Sequence, residues 1–267
     1  MKFFSAAKIC LLLVVVFGGQ LRAADSPWAR VVMIGASASA GFVLDEPLGG
    51  AETTRCKLNY YFDAAIQPTH TPVKNLGSAL MFINPEAFAP LQVEAATNSH
   101  PTLIIGVDFL FWFCYGDGSD DAARAARFET GLKLLEQIHC PIVVGDIPDA
   151  SYATNTGIIS AAQVPSETAR RAANERLKQW AKAHHVTVVP LAEFMRAVKA
   201  NEAVKMHDGT LPAGKTRSLM QADGLHPTPQ GAAVLSLGIL DALVKSQKKF
   251  PTSEVDWNPQ AVFQRAK

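Results

Sequence analysis

The chain has 267 residues, of which 48% are hydrophobic and 18% are charged, and its formal net charge at pH 7 is +1. These values predict a globular protein with a sizeable core and exclude an intrinsically disordered chain. The nearly balanced, well-mixed charges also argue against nucleic acid or an anionic membrane surface as a partner.

The N-terminus has the pattern of a secretory signal peptide. Two lysines precede an apolar run from Ile9 to Phe17, and small and polar residues follow as far as Asp25. We predict cleavage after Ala23, so that residues 1–23 are the signal peptide and residues 24–267 form a single domain. A permanent anchor is the less favoured alternative, because a membrane-spanning helix needs about 20 apolar residues. We therefore expect a secreted or periplasmic protein without a stable membrane span.

Strand-like and helix-like segments alternate along the rest of the chain. Short runs rich in Val or Ile, typical of strands buried on both faces, occur at Arg30 to Ile34, Thr102 to Val107, Ile142 to Val144 and Val186 to Val189. Amphipathic stretches of helical period occur at Asp120 to Ile138, Ser166 to Ala183 and Pro229 to Lys245. The alternation predicts a parallel sheet covered by helices on both sides.

Two segments rich in Gly, Pro and charged residues, Leu44 to Thr54 and Met206 to Thr216, are predicted to be surface loops. In an open parallel sheet, ligands bind outside the carboxyl ends of the strands. Residues that directly follow a predicted strand are therefore the first candidates for a functional site.

Three cysteines remain after the predicted signal peptide: Cys56, Cys114 and Cys140. Their spacing does not fit a structural zinc site. Two interpretations stay open, a disulfide between Cys114 and Cys140 in an oxidising compartment, or three buried thiols.

A small-residue turn follows the first predicted strand, from Gly35 to Gly41, with Ser37 near its start. A hydroxyl at this point would lie at the carboxyl end of the strand and at the mouth of a helix, beside unpaired backbone N–H groups. Such donors can stabilise the oxyanion of a tetrahedral intermediate. Ser37 is therefore a candidate nucleophile, although turns of this composition also serve structure alone.

A second candidate element precedes the last predicted helix, in the segment Asp223 to Pro227. Asp223 stands three positions before His226, and on a turn this spacing can bring the carboxylate to one imidazole nitrogen while the other nitrogen faces the serine. A neutral imidazole is a competent general base near pH 7. The alternative is a turn-forming aspartate beside a surface histidine.

Together the two elements resemble a known family. The segment Gly35 to Gly41 is similar to the G-D-S-L-S-x-G block of the GDSL/SGNH hydrolases, and the segment Asp223 to Pro227 resembles their C-terminal D-x-x-H-P block. The resemblance implies a flavodoxin-like, three-layer α/β/α sandwich with a central parallel sheet. It also implies a catalytic set of Ser37 as nucleophile, His226 as base and Asp223 as orienting acid, with no metal or organic cofactor.

The resemblance further implies an oxyanion hole formed by Ser37, Gly77 and Asp108, but here the chain departs from the family pattern. Asp108 stands where the family has an asparagine amide, and an ionised carboxylate cannot donate a hydrogen bond and would repel the developing charge. Either Asp108 is kept protonated, or it has another role and backbone N–H groups form the hole. Ala36, in place of the usual aspartate, is a second departure.

We therefore predict a serine esterase that cleaves a small-molecule or carbohydrate ester, such as a short-chain or acetyl ester, through an acyl-enzyme on Ser37. Two alternatives stay open. One is a catalytically weak or inactive binding protein with the same fold, motivated by Asp108 and Ala36. The other is an acyltransferase with the same catalytic set. The aromatic run from Phe109 to Phe113 is predicted either to line a substrate pocket or to belong to the core.

Overall fold

The computed structural model describes residues 26–47, 49–118 and 120–266, so the predicted signal peptide lies outside the described residues. Its central sheet consists of β1 (Val31–Met33), β2 (Lys74–Asn75), β3 (Leu103–Gly106), β4 (Ile142–Gly145) and β5 (Thr187–Val189). The strand order is β2-β1-β3-β4-β5, and every neighbouring pair is parallel. This is the flavodoxin-like order. The predicted parallel sheet and fold class are confirmed.

The α-helices of the described residues are α1 (Ser37–Ala40), α2 (Ala51–Arg55), α3 (Leu58–Ala65), α4 (Pro85–Thr97), α5 (Phe111–Cys114), α6 (Asp121–Leu135), α7 (Glu167–His184), α8 (Leu191–Lys199), α9 (Pro229–Ser246) and α10 (Pro259–Arg265). Short 3₁₀ helices span Ala79–Phe82, Ser151–Thr156, Ala161–Gln163, Arg217–Leu219 and Thr252–Glu254. A separate antiparallel hairpin pairs β6 (Val204–Met206) with β7 (Gly209–Leu211).

Helices cover the sheet on both faces because the strands are apolar on both faces. Side chains alternate along a strand, so Val31 and Met33 of β1 pack with α3, α8, α9 and α10. Val32 and Ile34 point the other way and pack with α4, α5, α6 and α7. The result is two apolar layers separated by the sheet, the three-layer arrangement expected of this fold class.

The predicted strands and helices all occur, with boundaries shifted by up to three residues. Both predicted surface loops are partly wrong. The segment Leu44 to Thr54 contains the start of α2, where the Glu46 carboxylate accepts the N–H of Thr53 and supports the short helix. The segment Met206 to Thr216 contains β7, which pairs with β6. Both elements depend on contacts beyond their own residues, which local composition does not reveal.

The three cysteines are unpaired. Cys56 and Cys114 are buried thiols, and Cys140 is half-buried. The predicted Cys114–Cys140 disulfide is therefore not formed, and of the two interpretations only separate thiols fit. Among the described residues, no helix is both long enough and apolar enough to cross a membrane.

Candidate active site

Ser37 is the first residue of α1, four positions after the end of β1. The preceding Gly35 has φ +139°, a conformation that side-chain-bearing residues rarely adopt, and this bends the chain from strand into helix. Ser37 is half-buried. Its backbone N–H has no hydrogen-bond acceptor within the part of the chain that the structure describes. The nucleophile candidate thus lies at a sharp turn beside an unused donor.

The Asp108 carboxylate caps α1 in place of Ala36, which has no polar side chain of its own. Asp108 Oδ2 accepts the N–H groups of Ala38 (2.8 Å) and Ser39 (3.1 Å), and Oδ1 accepts the Ser39 hydroxyl (2.6 Å). These are the orphan donors of a helix N-terminus, which a carboxylate satisfies well. A Cβ atom at Gly35 would lie 2.1 Å from Asp108 Oδ1, so only glycine allows this approach.

Gln92 of α4 fixes the same turn from the other side. Its side-chain oxygen accepts the Gly35 N–H (2.8 Å), and its amide donates to the Gly35 carbonyl (3.0 Å). The Ser78 N–H donates to that carbonyl as well. Both backbone groups of Gly35 are thus paired, which restricts rotation of the turn that carries Ser37.

His226 and Asp223 lie on the tight turn before α9, and Gly224 makes this turn possible with φ +70°. His226 Nδ1 is 2.7 Å from Asp223 Oδ2. Asp223 Oδ1 accepts the backbone N–H groups of Leu225 (2.9 Å) and His226 (3.0 Å). The spacing of three residues therefore places acid and imidazole in direct contact.

The environment of Asp223 favours its carboxylate form. Burial alone would raise the pKa of this group, but the hydrogen bond and charge of His226 and the two backbone N–H groups outweigh burial, so the Asp223 pKa is lowered. Asp223 is 5% exposed and His226 is 2% exposed. A buried carboxylate held this way can orient the ring and stabilise an imidazolium.

The outer ring nitrogen of His226 reaches the serine. Its Nε2 is 2.8 Å from Ser37 Oγ, a hydrogen-bonding distance between residues 189 positions apart. The Phe42 ring packs against the imidazole, with 4.4 Å between ring centroids. Gln221 connects the segment after α1 with the turn that carries His226, because its amide donates to the carbonyls of Phe42 (2.7 Å) and Pro227 (2.8 Å). The structure thus brings Ser37, His226 and Asp223 into one hydrogen-bonded chain.

Gly77 follows β2 and lies against α1, but its N–H already has a partner. It donates to Asn75 Oδ1 (2.9 Å), and the Asn75 amide donates to the carbonyl of Ser39 (2.7 Å) and to Asn59 Oδ1 (2.9 Å). Asp108 likewise contacts only donors. The oxyanion-hole roles of Gly77 and Asp108 stay predictions, and in this arrangement neither the Gly77 N–H nor the Asp108 side chain offers an unused donor.

A small apolar cavity of about 50 Å³ opens beside Ser37 and His226. Its walls come mainly from the end of β3, from α8 and from the turn around His226, and include Val107, Phe111, Leu191, Phe194, Met195, Val198, Met220, Leu225 and Leu235. Of the predicted aromatic run, Phe111 lines this cavity, and the other members are buried in the core. The core assignment is therefore confirmed for most of the run, and a role of Phe111 in a substrate pocket stays a prediction.

Solved structures of lipases and acylhydrolases share this architecture. The lipase/acylhydrolase from Enterococcus faecalis aligns with a TM-score of 0.53 at 17% identity, over 86% of this chain and 98% of that one. A GDSL-like lipase from Bacteroides thetaiotaomicron aligns with a TM-score of 0.50 at 15% identity, over 81% and 88% of the two chains. The fold is that of the GDSL-like lipases and acylhydrolases. No family model matches the chain, and no curated protein matches it by sequence.

Within this GDSL-like fold, several residues that support the site lie outside the predicted motifs. Gln92 and Asn75 bind backbone groups of the segment around Ser37, and Gln221 binds the carbonyls of Phe42 and Pro227. Their partners are distant in sequence, so no local pattern marks them. Asp146, at the end of β4, had no predicted role, and its Oδ1 accepts the Ala192 N–H at the start of α8 (2.6 Å).

Proposed function

We propose that this protein is a serine ester hydrolase, with Ser37 as nucleophile, His226 as general base and Asp223 as orienting acid. The observation that carries the proposal is the continuous hydrogen-bonded chain from Ser37 Oγ through His226 to Asp223, with distances of 2.8 and 2.7 Å. Lipase and acylhydrolase structures of the same fold support this class of chemistry.

In the first step, Ser37 Oγ attacks the ester carbonyl while His226 Nε2 takes its proton. The tetrahedral intermediate then expels the alcohol, which receives that proton from the imidazolium, and an acyl-Ser37 ester remains. Asp223 holds the ring with Nδ1–H toward the carboxylate, so that Nε2 is the basic nitrogen.

In the second step, water enters where the alcohol left. His226 removes a proton from the water, the resulting hydroxide adds to the acyl carbonyl, and the acid departs as Ser37 regains its proton. An alcohol acceptor in place of water would give acyl transfer with the same residues. Product analysis with and without an added alcohol distinguishes the two reactions.

For the oxyanion, the Ser37 N–H is the donor that we favour, since it is unpaired and belongs to the residue that forms the bond. The Asp108 carboxylate contributes by fixing α1 through Ala38 and Ser39. The apolar walls beside Ser37 favour an uncharged ester group at the reacting carbon.

We also propose that the protein is exported and acts outside the cytoplasm. The support is the sequence pattern of residues 1–23 alone. Expression in a Gram-negative host followed by N-terminal sequencing of the periplasmic protein tests this directly. We expect a chain that begins at Ala24, and an intact N-terminus in the cytoplasmic fraction would contradict the proposal.

The catalytic proposal is tested by hydrolysis of p-nitrophenyl butyrate with purified wild-type protein, the Ser37→Ala variant and a matched Ser218→Ala control, in which an exposed serine is changed. We expect loss of all but about 10⁻³ to 10⁻⁴ of the rate for Ser37→Ala, and an unchanged rate for the control. A fluorophosphonate should add one covalent label to the wild type and none to Ser37→Ala.

Turnover that survives Ser37→Ala would refute Ser37 as nucleophile. Absence of both turnover and labelling in the wild type would favour a binding protein with an esterase-like fold.

A further inference from the structure

Two positive side chains, Lys199 and Arg217, lie together near the apolar cavity. Lys199 ends α8, and the backbone N–H of Arg217 donates to Asn201 Oδ1 (3.1 Å), two residues beyond that end. Both side chains are half-buried. Burial lowers the Lys199 pKa, the Asp149 carboxylate opposes this effect, and the Arg217 charge adds to it. The two cations also contact the same short segment, because Lys199 Nζ donates to the Asp149 carbonyl and the Arg217 guanidinium lies over the Tyr152 ring.

Neither cation forms an ion pair with a carboxylate of the described residues. Lys199 Nζ donates to the backbone carbonyl of Asp149 (2.6 Å), and the Arg217 guanidinium contacts the Met220 sulfur (3.6 Å). The Asp149 carboxylate accepts the Ser151 N–H (2.9 Å) and is exposed to solvent. Most N–H donors of the two side chains thus remain available to a ligand.

The pair adjoins the cavity at three points of its wall. Met220 lines the cavity and contacts Arg217, and Val198 lines it directly before Lys199 in α8. Pro148 lines it next to Asp149, whose carbonyl accepts the Lys199 ammonium. Lys199 and Arg217 are not themselves part of the wall, so their charged groups lie outside the apolar cavity, next to residues that form it.

An exposed aromatic ring lies next to Arg217. Tyr152 is 45% exposed, and the Arg217 guanidinium carbon lies 5.8 Å from its ring centroid. The ring packs against Gly224, where an added Cβ would lie 2.4 Å from it, and Gly224 adjoins Asp223 of the catalytic turn. The Tyr152 ring thus lies between Arg217 and the turn that carries Asp223.

We propose that Lys199 and Arg217 form a subsite for a carboxylate group, so that the preferred substrate is an ester with an anionic group on the part that extends out of the cavity. The inference rests on the proposed ester hydrolase function and narrows its substrate class. A carboxylate at this point would gain charge-assisted hydrogen bonds from both side chains, while the reacting ester stays beside the apolar wall.

The test compares pairs of esters that differ only in a terminal methyl or carboxylate group. In the acyl arm, methyl hexanoate is compared with monomethyl adipate, together with the corresponding four- and eight-carbon pairs. In the alcohol arm, hexyl acetate is compared with 6-acetoxyhexanoate. The readout is the ratio of kcat/KM for the anionic ester to that for its neutral partner, from released methanol or acetate.

We expect a ratio of about ten in one arm, decreasing with added NaCl because the interaction is electrostatic. Arg217→Gln and Lys199→Gln should each lower the ratio about three- to tenfold. Lys215→Gln removes an exposed cation two residues from Arg217 and should leave the ratio unchanged. Ratios of one or less in both arms, or ratios unchanged by both variants, would overturn the subsite.

Calorimetric titration of monomethyl adipate and 6-acetoxyhexanoate into the Ser37→Ala variant, with and without Arg217→Gln, separates this inference from the catalytic proposal. Binding that weakens with Arg217→Gln supports the subsite even if no ester is hydrolysed. If neither compound binds, or if binding is indifferent to Arg217, the subsite is refuted even when neutral esters are hydrolysed.

Discussion

Replacement of Asp108 by alanine should destabilise the protein strongly, because the carboxylate caps the helix that begins with Ser37. The change removes three hydrogen bonds and leaves the N–H groups of Ala38 and Ser39 without an acceptor near the protein interior. Hydrogen bonds to a charged group contribute about 1.5–3 kcal/mol each, and they are not fully additive. We therefore expect a loss of about 3–5 kcal/mol in the free energy of unfolding, or a Tm lower by about 10 °C.

Asp108→Asn should cost much less, about 1 kcal/mol, since the remaining side-chain oxygen can still accept the two N–H groups. Thermal and urea unfolding followed by circular dichroism measure both changes, with Asp45→Ala as the control for an exposed aspartate. Turnover should decrease about 100-fold for Asp108→Ala, because a displaced Ser37 loses its alignment with His226. If Asp108→Ala unfolds within 1 kcal/mol of the wild type, the capping role is wrong.

Three further predictions concern Asp223, one glycine and the thiols. Asp223→Asn should lower kcat about 10³- to 10⁴-fold, because the His226 ring loses its orientation. Because the Asp223 pKa is lowered, the stabilisation that its carboxylate gives the fold should be complete above about pH 4 and lost as the pH falls further. Acid unfolding of the variant and the wild type in parallel measures this loss. Gly35→Ala should destabilise more than Gly214→Ala, since both have positive φ but only the first adds a steric clash, and equal losses in urea unfolding would contradict this. Burial raises the thiol pKa of Cys140 to about 11 and that of Cys114 to about 12. Neither thiol should therefore react quickly with a disulfide reagent at pH 8 unless the protein unfolds. Rapid modification of Cys114 in the native protein, located by peptide mapping, would contradict this prediction.

The sequence was sufficient to predict four of the five strands of the central sheet, and the turns that carry Ser37 and His226, because their signals are local. A valine-rich run followed by small residues predicts the strand that ends before Ser37. The spacing between Asp223 and His226 is short enough for a turn to bring them into contact. Both turns lie at the same end of the sheet, where His226 comes within 2.8 Å of Ser37.

Other parts were missed because distant residues determine them. Helix α8 follows Pro190 directly, and its N-terminus is capped by Asp146 from the end of another strand. Helix α4 contains Pro90, a residue that normally argues against a helix interior. Gln92 contacts Gly35 across 57 positions, and a single glutamine in an amphipathic segment carries no sign of this partner.

The separation of 189 positions between the serine and the histidine has a consequence for biosynthesis. At translation rates of about 5–20 residues per second, roughly 10 to 40 s pass between synthesis of Ser37 and synthesis of His226. Under the proposed mechanism, a nascent chain that lacks His226 has no general base and cannot hydrolyse an ester during that interval, whatever part of the sheet has already formed. Under the proposed mechanism, ester cleavage can therefore begin only after His226 has been made, when α9 and α10 are still to follow.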